Sequence, residues 1–170
     1  MKAFYKKLIT VFENPATKQL FLDQGINPIE YIDLYAGQDQ FEENFELFAR
    51  PALLVDWNID HNDDTPVVTV NLYCCYEQLR DTSNISLNKD VALKFLDFVE
   101  LINSIARTIE SEATGKLKLV SEGFNKMDSI VDIYLFTYTC SGIAQKNPQQ
   151  YEAGDYDTLD LQGNLVYELD

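Results

Sequence analysis

Apolar and polar positions alternate along this chain with two periods, and the switches between them divide it into elements. Residues 3–13 place Phe4, Tyr5, Leu8, Ile9, Val11 and Phe12 at helical spacing, with Lys2, Lys6 and Lys7 on the other side. The spacing predicts an N-terminal helix that stops near Asn14-Pro15, because the residue before a proline is pushed out of the helical region. A second short helix is expected over 16–23, stopping at Gly25, and Ile29 to Leu34 reads as an apolar strand. After Gly37 comes QDQFEENFELFAR, in which acids alternate with Phe41, Phe45 and Phe48. It fits a short amphipathic helix or a loop equally well. Arg50-Pro51 opens the next strand, since proline is tolerated at a strand's first residue and not in its middle. Ala52-Leu53-Leu54-Val55 lacks polar alternation and so predicts burial on both faces, with Trp57 and Ile59 continuing one of them.

A polar turn, Asp60 to Asp64, leads into a long strand from Val67 to Tyr76. One face carries Val68, Val70, Leu72 and Cys74; the other carries Val67, Thr69, Asn71, Tyr73 and Cys75. The short turn predicts that 52–59 and 67–76 pair as an antiparallel hairpin. Residues 78–88 read as a polar loop. From 89 to 111, Val91, Phe95, Phe98, Ile102, Ile105 and Ile109 form a continuous stripe at spacings of four and three, widened by Leu93, Leu96, Val99 and Leu101. A long helix packed across a sheet follows from that stripe. Leu117 to Val120 reads as a short strand, and a turn from Gly123 to Asp128 leads to a long strand, Ile130 to Cys140. Val131, Ile133 and Leu135 are expected to face the helix. The opposite face, with Asp132, Tyr134, Phe136 and Tyr138, is too aromatic for plain solvent, so the N-terminal helix or another subunit should cover it.

Together these elements predict an α+β fold: a mainly antiparallel four-stranded sheet with the long helix on one face and the N-terminal helix beside it. Residues 1–145 make the single domain. Residues 146–170 make an acidic C-terminal arm or hairpin, in which Leu159, Leu161, Leu165 and Tyr167 alternate with polar positions about Gly163-Asn164. Such arms gain order by adding to a neighbour's sheet edge.

Charge sharpens the picture. With 28 acidic against 13 basic side chains the formal charge is −15, which opposes direct binding of nucleic acid. It does not oppose standing beside DNA, because an acidic wall repels a passing phosphate backbone. No run of about 18 apolar residues predicts a membrane span. The start, MKAFYKKLITVF, resembles a secretion signal but runs straight into Glu13, Asn14 and Pro15, so the expectation is a mature N-terminus made in the cytoplasm.

Candidate chemistry is sparse. Cys74, Cys75 and Cys140 have no metal spacing, and adjacent cysteines in a strand point to opposite faces; they read as buried thiols in a reducing compartment. His61 lies in an acidic turn without a nucleophile or an orienting partner nearby in sequence. Asp56, Asp60, Asp63 and Asp64 lack the alternating ligands and central glycine of a calcium loop. No phosphate-binding glycine loop, nucleophile elbow or zinc-type histidine pair is present. Neither a catalytic residue, a metal ligand nor a cofactor is therefore expected.

The succession Ile32-Asp33-Leu34-Tyr35-x-x-Gln38, a Phe-bearing acidic loop, and Arg50-Pro51-Ala52-Leu53-Leu54-Val55-Asp56-Trp57 resembles small virion proteins of tailed bacteriophages, the tail-terminator (tail-completion) and head-to-tail connector proteins of prophages and crAss-like phages. The likeness in residues is confined to 29–57, and that in element order spans about 1–140. The resemblance implies a non-enzymatic subunit of the virion tail or neck. It would assemble as a ring homo-oligomer, usually a hexamer, cap the tail tube, and contact tube and neck proteins while DNA passes without specific binding. On this reading Phe41, Phe45, Phe48, Tyr134, Phe136, Tyr138, Leu159, Leu161, Leu165 and Tyr167 are the expected contacts with partners. The alternative is an acidic cytoplasmic binding module: an adaptor, an inhibitor or a DNA mimic.

Overall fold

In a computed structural model, residues 1–76, 81–125 and 130–142 are described, apart from the side chain of Phe45. The C-terminal arm expected over 146–170 lies outside the described residues. The fold is α+β, with helices on one face of a mixed five-stranded sheet.

Two helices open the chain: α1 (Lys2–Glu13) and α2 (Pro15–Asp23). Asn14 separates them by capping α2, its Oδ1 accepting from the Ala16 amide at 2.8 Å, while Pro15 occupies a position where no amide is required. Gly25, at φ +67°, turns the chain out of α2 through the left-handed region that glycine adopts without strain. Strand β1 (Tyr31–Leu34) follows, then two 3₁₀ segments (Gln38–Gln40 and Glu42–Phe48), β2 (Ala52–Asp60) and β3 (Val67–Tyr76). Next come a one-turn helix, α3 (Lys89–Ala92), the long helix α4 (Lys94–Ala106), β4 (Lys118–Asn125) and β5 (Asp132–Ser141).

The strand order is β1-β2-β3-β5-β4. β2 and β3 pair antiparallel as the turn predicts, Ala52 opposite Cys75 and Asp60 opposite Val67. The expected four antiparallel strands are corrected to five, because β1 joins the sheet parallel to β2, Tyr31 beside Ala52. Parallel neighbours need a crossover rather than a tight turn. Residues 35–51 supply it, passing over the sheet face away from the helices. The long helix is also shorter than its stripe. It breaks at Leu93 and ends at Ala106; Val91 is exposed, whereas Ile109 is buried beyond the helix end.

The main core lies between the sheet and helices α1, α2 and α4. Phe4, Leu8, Phe12, Phe21, Phe95, Phe98 and Ile102 pack onto Leu53, Val55, Val68, Val70, Leu72, Cys74, Phe136 and Tyr138. A smaller cluster on the opposite face joins Phe48, Ala52, Leu54, Cys75 and Ile133. Ala52 to Val55 are accordingly buried on both sides, as their unbroken apolar run requires.

The faces of β5 are the reverse of those expected. Phe136 and Tyr138 lie against the helices, fully buried, and Ile133 points the other way. The register explains this: Phe136 pairs with Leu72 and Tyr138 with Val70, and cross-strand partners share a face, so the helix-side residues of β3 fix those of β5. Tyr138 keeps its hydroxyl satisfied inside the core by donating to Asn103 Oδ1 on α4 at 2.9 Å. The aromatic face is thus packed against α4 of the same chain. Likewise β4 runs on through Gly123 to Asn125, where the glycine predicts a turn.

Candidate interaction surfaces

The sheet face opposite the helices carries a polar ladder. Asp56 accepts from Asn71 Nδ2 at 2.7 Å and from the Tyr73 hydroxyl at 3.1 Å, and Thr137 donates to Asn71 Oδ1 at 3.0 Å. The Tyr73 ring stacks on Tyr35, centroids 4.1 Å apart. Asp39, buried in the crossover, accepts from the Ile130 amide through its carbonyl at 2.9 Å. Burial, then the charge of Asp56, pushes the Tyr73 hydroxyl well up; burial, then Asp39, pushes Tyr35 up. Both therefore stay protonated and act as hydrogen-bond donors to carboxylates. Burial, then Asp39, likewise holds the Cys75 thiol at about 12, so it stays a neutral thiol rather than a nucleophilic thiolate. The ladder pins the crossover to the sheet.

The other residues singled out for chemistry are dispersed. Cys74 and Cys75 point into the two separate clusters, and all three cysteines are buried and free. His61 is exposed in the β2–β3 turn, where Asp60 Oδ1 accepts from the Asn62 amide at 2.9 Å. Among the described residues no three His, Cys, Asp or Glu side chains gather as metal ligands, and no helix is long and apolar enough to cross a membrane.

The expected contact residues divide sharply. Phe41 stands out from the crossover, half exposed. Phe48, two residues beyond the last acid of the loop, Glu46, is instead buried in the smaller cluster, holding the loop down. Phe136 and Tyr138 are core residues, and Tyr134 is half-buried between Phe95, Phe124 and Phe136. Phe136 and Tyr138, fully buried, offer no free face to a partner. The side chain of Phe45 and residues Leu159, Leu161, Leu165 and Tyr167 lie outside the described residues.

Apolar surface is found elsewhere. Ile85 is 85% exposed, Leu87 fully exposed and Val91 70% exposed, with Leu93 and Leu96 following them. Phe124, at the end of β4, also lies open, its ring 5.7 Å from that of Phe95 in the first turn of α4. Isolated exposed apolar side chains are ordinary, but a run on one segment beside another exposed aromatic marks a contact surface. The polar residues around Ile85 and Leu87 hide this run in the sequence, and Val91, Leu93 and Leu96 read there as part of a buried stripe. Their excess over what one helix face can bury was the available signal.

The two sheet edges also differ. In a parallel pair alternate residues turn their backbone toward the partner strand. The Tyr35 amide bonds to Val55 O at 2.8 Å, so Ile32 and Leu34 turn theirs outward. Three of those outward groups are occupied: the Tyr5 hydroxyl reaches Ile32 O at 3.5 Å, Gln38 Nε2 donates to Leu34 O at 2.6 Å, and Asp33 Oδ1 accepts from the Leu34 amide at 2.7 Å. At the other edge, β4 pairs with β5 alone, through a register shift at Val120, and no described side chain caps the backbone of Lys118 to Phe124.

No protein-family model matches the chain, and no curated protein matches it.

Proposed function

We propose that the chain is a structural assembly subunit with no catalytic role, whose work is to bind copies of itself and neighbouring proteins. The observation that carries this is the exposed apolar run Ile85, Leu87, Val91, Leu93 and Leu96 beside Phe124. A partner that covers these side chains would gain roughly 25 cal/mol per Å² of apolar surface removed from water. The polar ladder supports the same reading, since every donor in it is used to hold the scaffold. Within that class we place the chain with the virion ring proteins that its residues 29–57 resemble, tail terminators and head-to-tail connectors. An acidic ring suits such a site because a net charge of −15 per subunit keeps passing DNA from sticking to the lumen. Tube and neck proteins would then meet the apolar run.

Mass measurement of the full chain in solution over a range of concentrations tests the proposal. A closed assembly of defined size is expected, and the double change Leu87→Asp and Val91→Asp should abolish its binding to the tail tube while leaving the fold intact. A stable monomer that binds no tube would instead favour the acidic binding module.

A further inference from the structure

We propose that the open edge of β4 is a receptor for the acidic C-terminal segment of a second copy of this chain, residues 158–168 adding to the sheet as an extra strand. This rests on the assembly reading above and names its contact. Four observations lead to it. First, protection is one-sided: the edge of β1 is capped by Tyr5, Gln38 and Asp33, whereas no other described residue caps the longer β4. Unpaired strand edges are templates for pairing, and folded proteins usually blunt them.

Second, the edge has the wrong chemistry for plain solvent. Val120 is 59% and Phe124 48% exposed. Third, Gly123 sits in the middle of the strand without a positive φ, and a Cβ there would meet nothing within 4 Å. Nothing among the described residues requires a glycine, which costs strand stability, but a closely approaching second backbone would. Fourth, charge is complementary. Lys116 and Lys118 are exposed at the start of β4 and form no ion pair with another described residue, while residues 150–170 hold six acids and no Lys or Arg.

The alternation of the segment fits the two sides of β4. Leu119, Glu122 and Phe124 share the helix side, being paired with Tyr138, Phe136 and Tyr134; Lys118, Ser121 and Gly123 share the other. Leu159 and Leu161 would lie on the helix side, the side of Leu119 and Phe124, and Asp160 would turn to the side of Lys118. Glu122 repels an acid placed opposite it and so disfavours other registers. A donor segment and a receptor edge at different places on one chain make a head-to-tail contact, the kind that closes into rings.

The test uses full-length chains carrying one blocked half each: Leu159→Asp with Leu161→Asp for the donor, and Val120→Pro for the receptor. Val120→Lys serves as a second receptor block should proline disturb the strand, and circular dichroism checks that each variant folds. Each blocked chain alone is expected to run as a monomer, and the two mixed as a one-to-one dimer, because a single complementary pair of halves remains. Lys116→Glu with Lys118→Glu should raise the half-assembly concentration by about tenfold. If the native chain assembles and both blocked variants keep its mass, this contact is overturned and the assembly reading stands. If the native chain is a monomer at every concentration and the mixture forms no dimer, both fall.

Discussion

The two ends of the sheet solve the same physical problem in opposite ways. β1 is four residues long, and each outward backbone group identified at its edge is taken by a side chain: a hydroxyl, an amide and a carboxylate. β4 is eight residues long, flanked by lysines, and carries exposed apolar side chains on an uncapped edge. A bare edge is a liability in a protein that works alone and a resource in one that assembles. Among the described residues, the fold closes its sheet on one side only. Phe124, at the open side, packs against Phe95 of α4, the helix that also carries the exposed Leu96.

The comparison can be broken most forcefully at β5, on which β4 stands. Phe136→Ala removes a fully buried ring beneath the open half of the sheet and should cost about 3–5 kcal/mol in denaturant unfolding. A cost below about 1 kcal/mol would mean that β5 does not turn its aromatic face to the helices. Asn103→Leu strands the buried hydroxyl of Tyr138 and should cost about 1–3 kcal/mol, most of it recovered by adding Tyr138→Phe. At the closed edge, Gln38→Ala removes the bonds to Leu34 O and from the Ala36 amide, costing about 1–2 kcal/mol. The Ala36 amide should then exchange with deuterium faster, and those of β4 should not change.

Alkali probes the same edge. Burial, then Asp33, raises the hydroxyl of Tyr31 to about 12 and that of Tyr5 in the same direction. A tyrosine that ionises later in the folded than in the unfolded chain stabilises fully below the unfolded value near 10. That contribution is lost as pH rises through the folded value. Stability should hold to about pH 10 and fall between about 10 and 12, modestly, since both rings are only partly buried. Tyr31→Phe should reduce the slope of that fall. The smallest effect is the most telling: Val120→Lys should move the unfolding free energy of the monomer by no more than about 0.5 kcal/mol.

Much of the scaffold was legible in the sequence. The helical spacing of Phe4, Leu8 and Phe12, the proline after Asn14, and the turn between Ile59 and Val67 each state their local structure directly, and the structure keeps all three. The candidate surface was far less legible. Phe41, Phe48, Phe136 and Tyr138 are alike as residues, yet one is exposed and three are buried. An alternating strand announces that it has two faces without saying which one meets the helices. That is decided by pairing with β3, a contact some sixty-six residues away in the case of Thr137 and Asn71. The exposed run at Ile85 was missed for the converse reason: apolar side chains at helical spacing read as core until the helix is seen to break at Leu93.

By itself, then, the sequence determined the kinds of element, their order, the burial of Ala52 to Val55 on both sides, and the net negative charge. These follow from local sterics, periodicity and summed charge, none of which needs a partner in space. Only the tertiary structure decided that β1 joins the sheet in parallel, which aromatic face lies inside, and which edge is left open. Those outcomes depend on strand pairing between distant residues, where a shift of one position exchanges every inward side chain for an outward one.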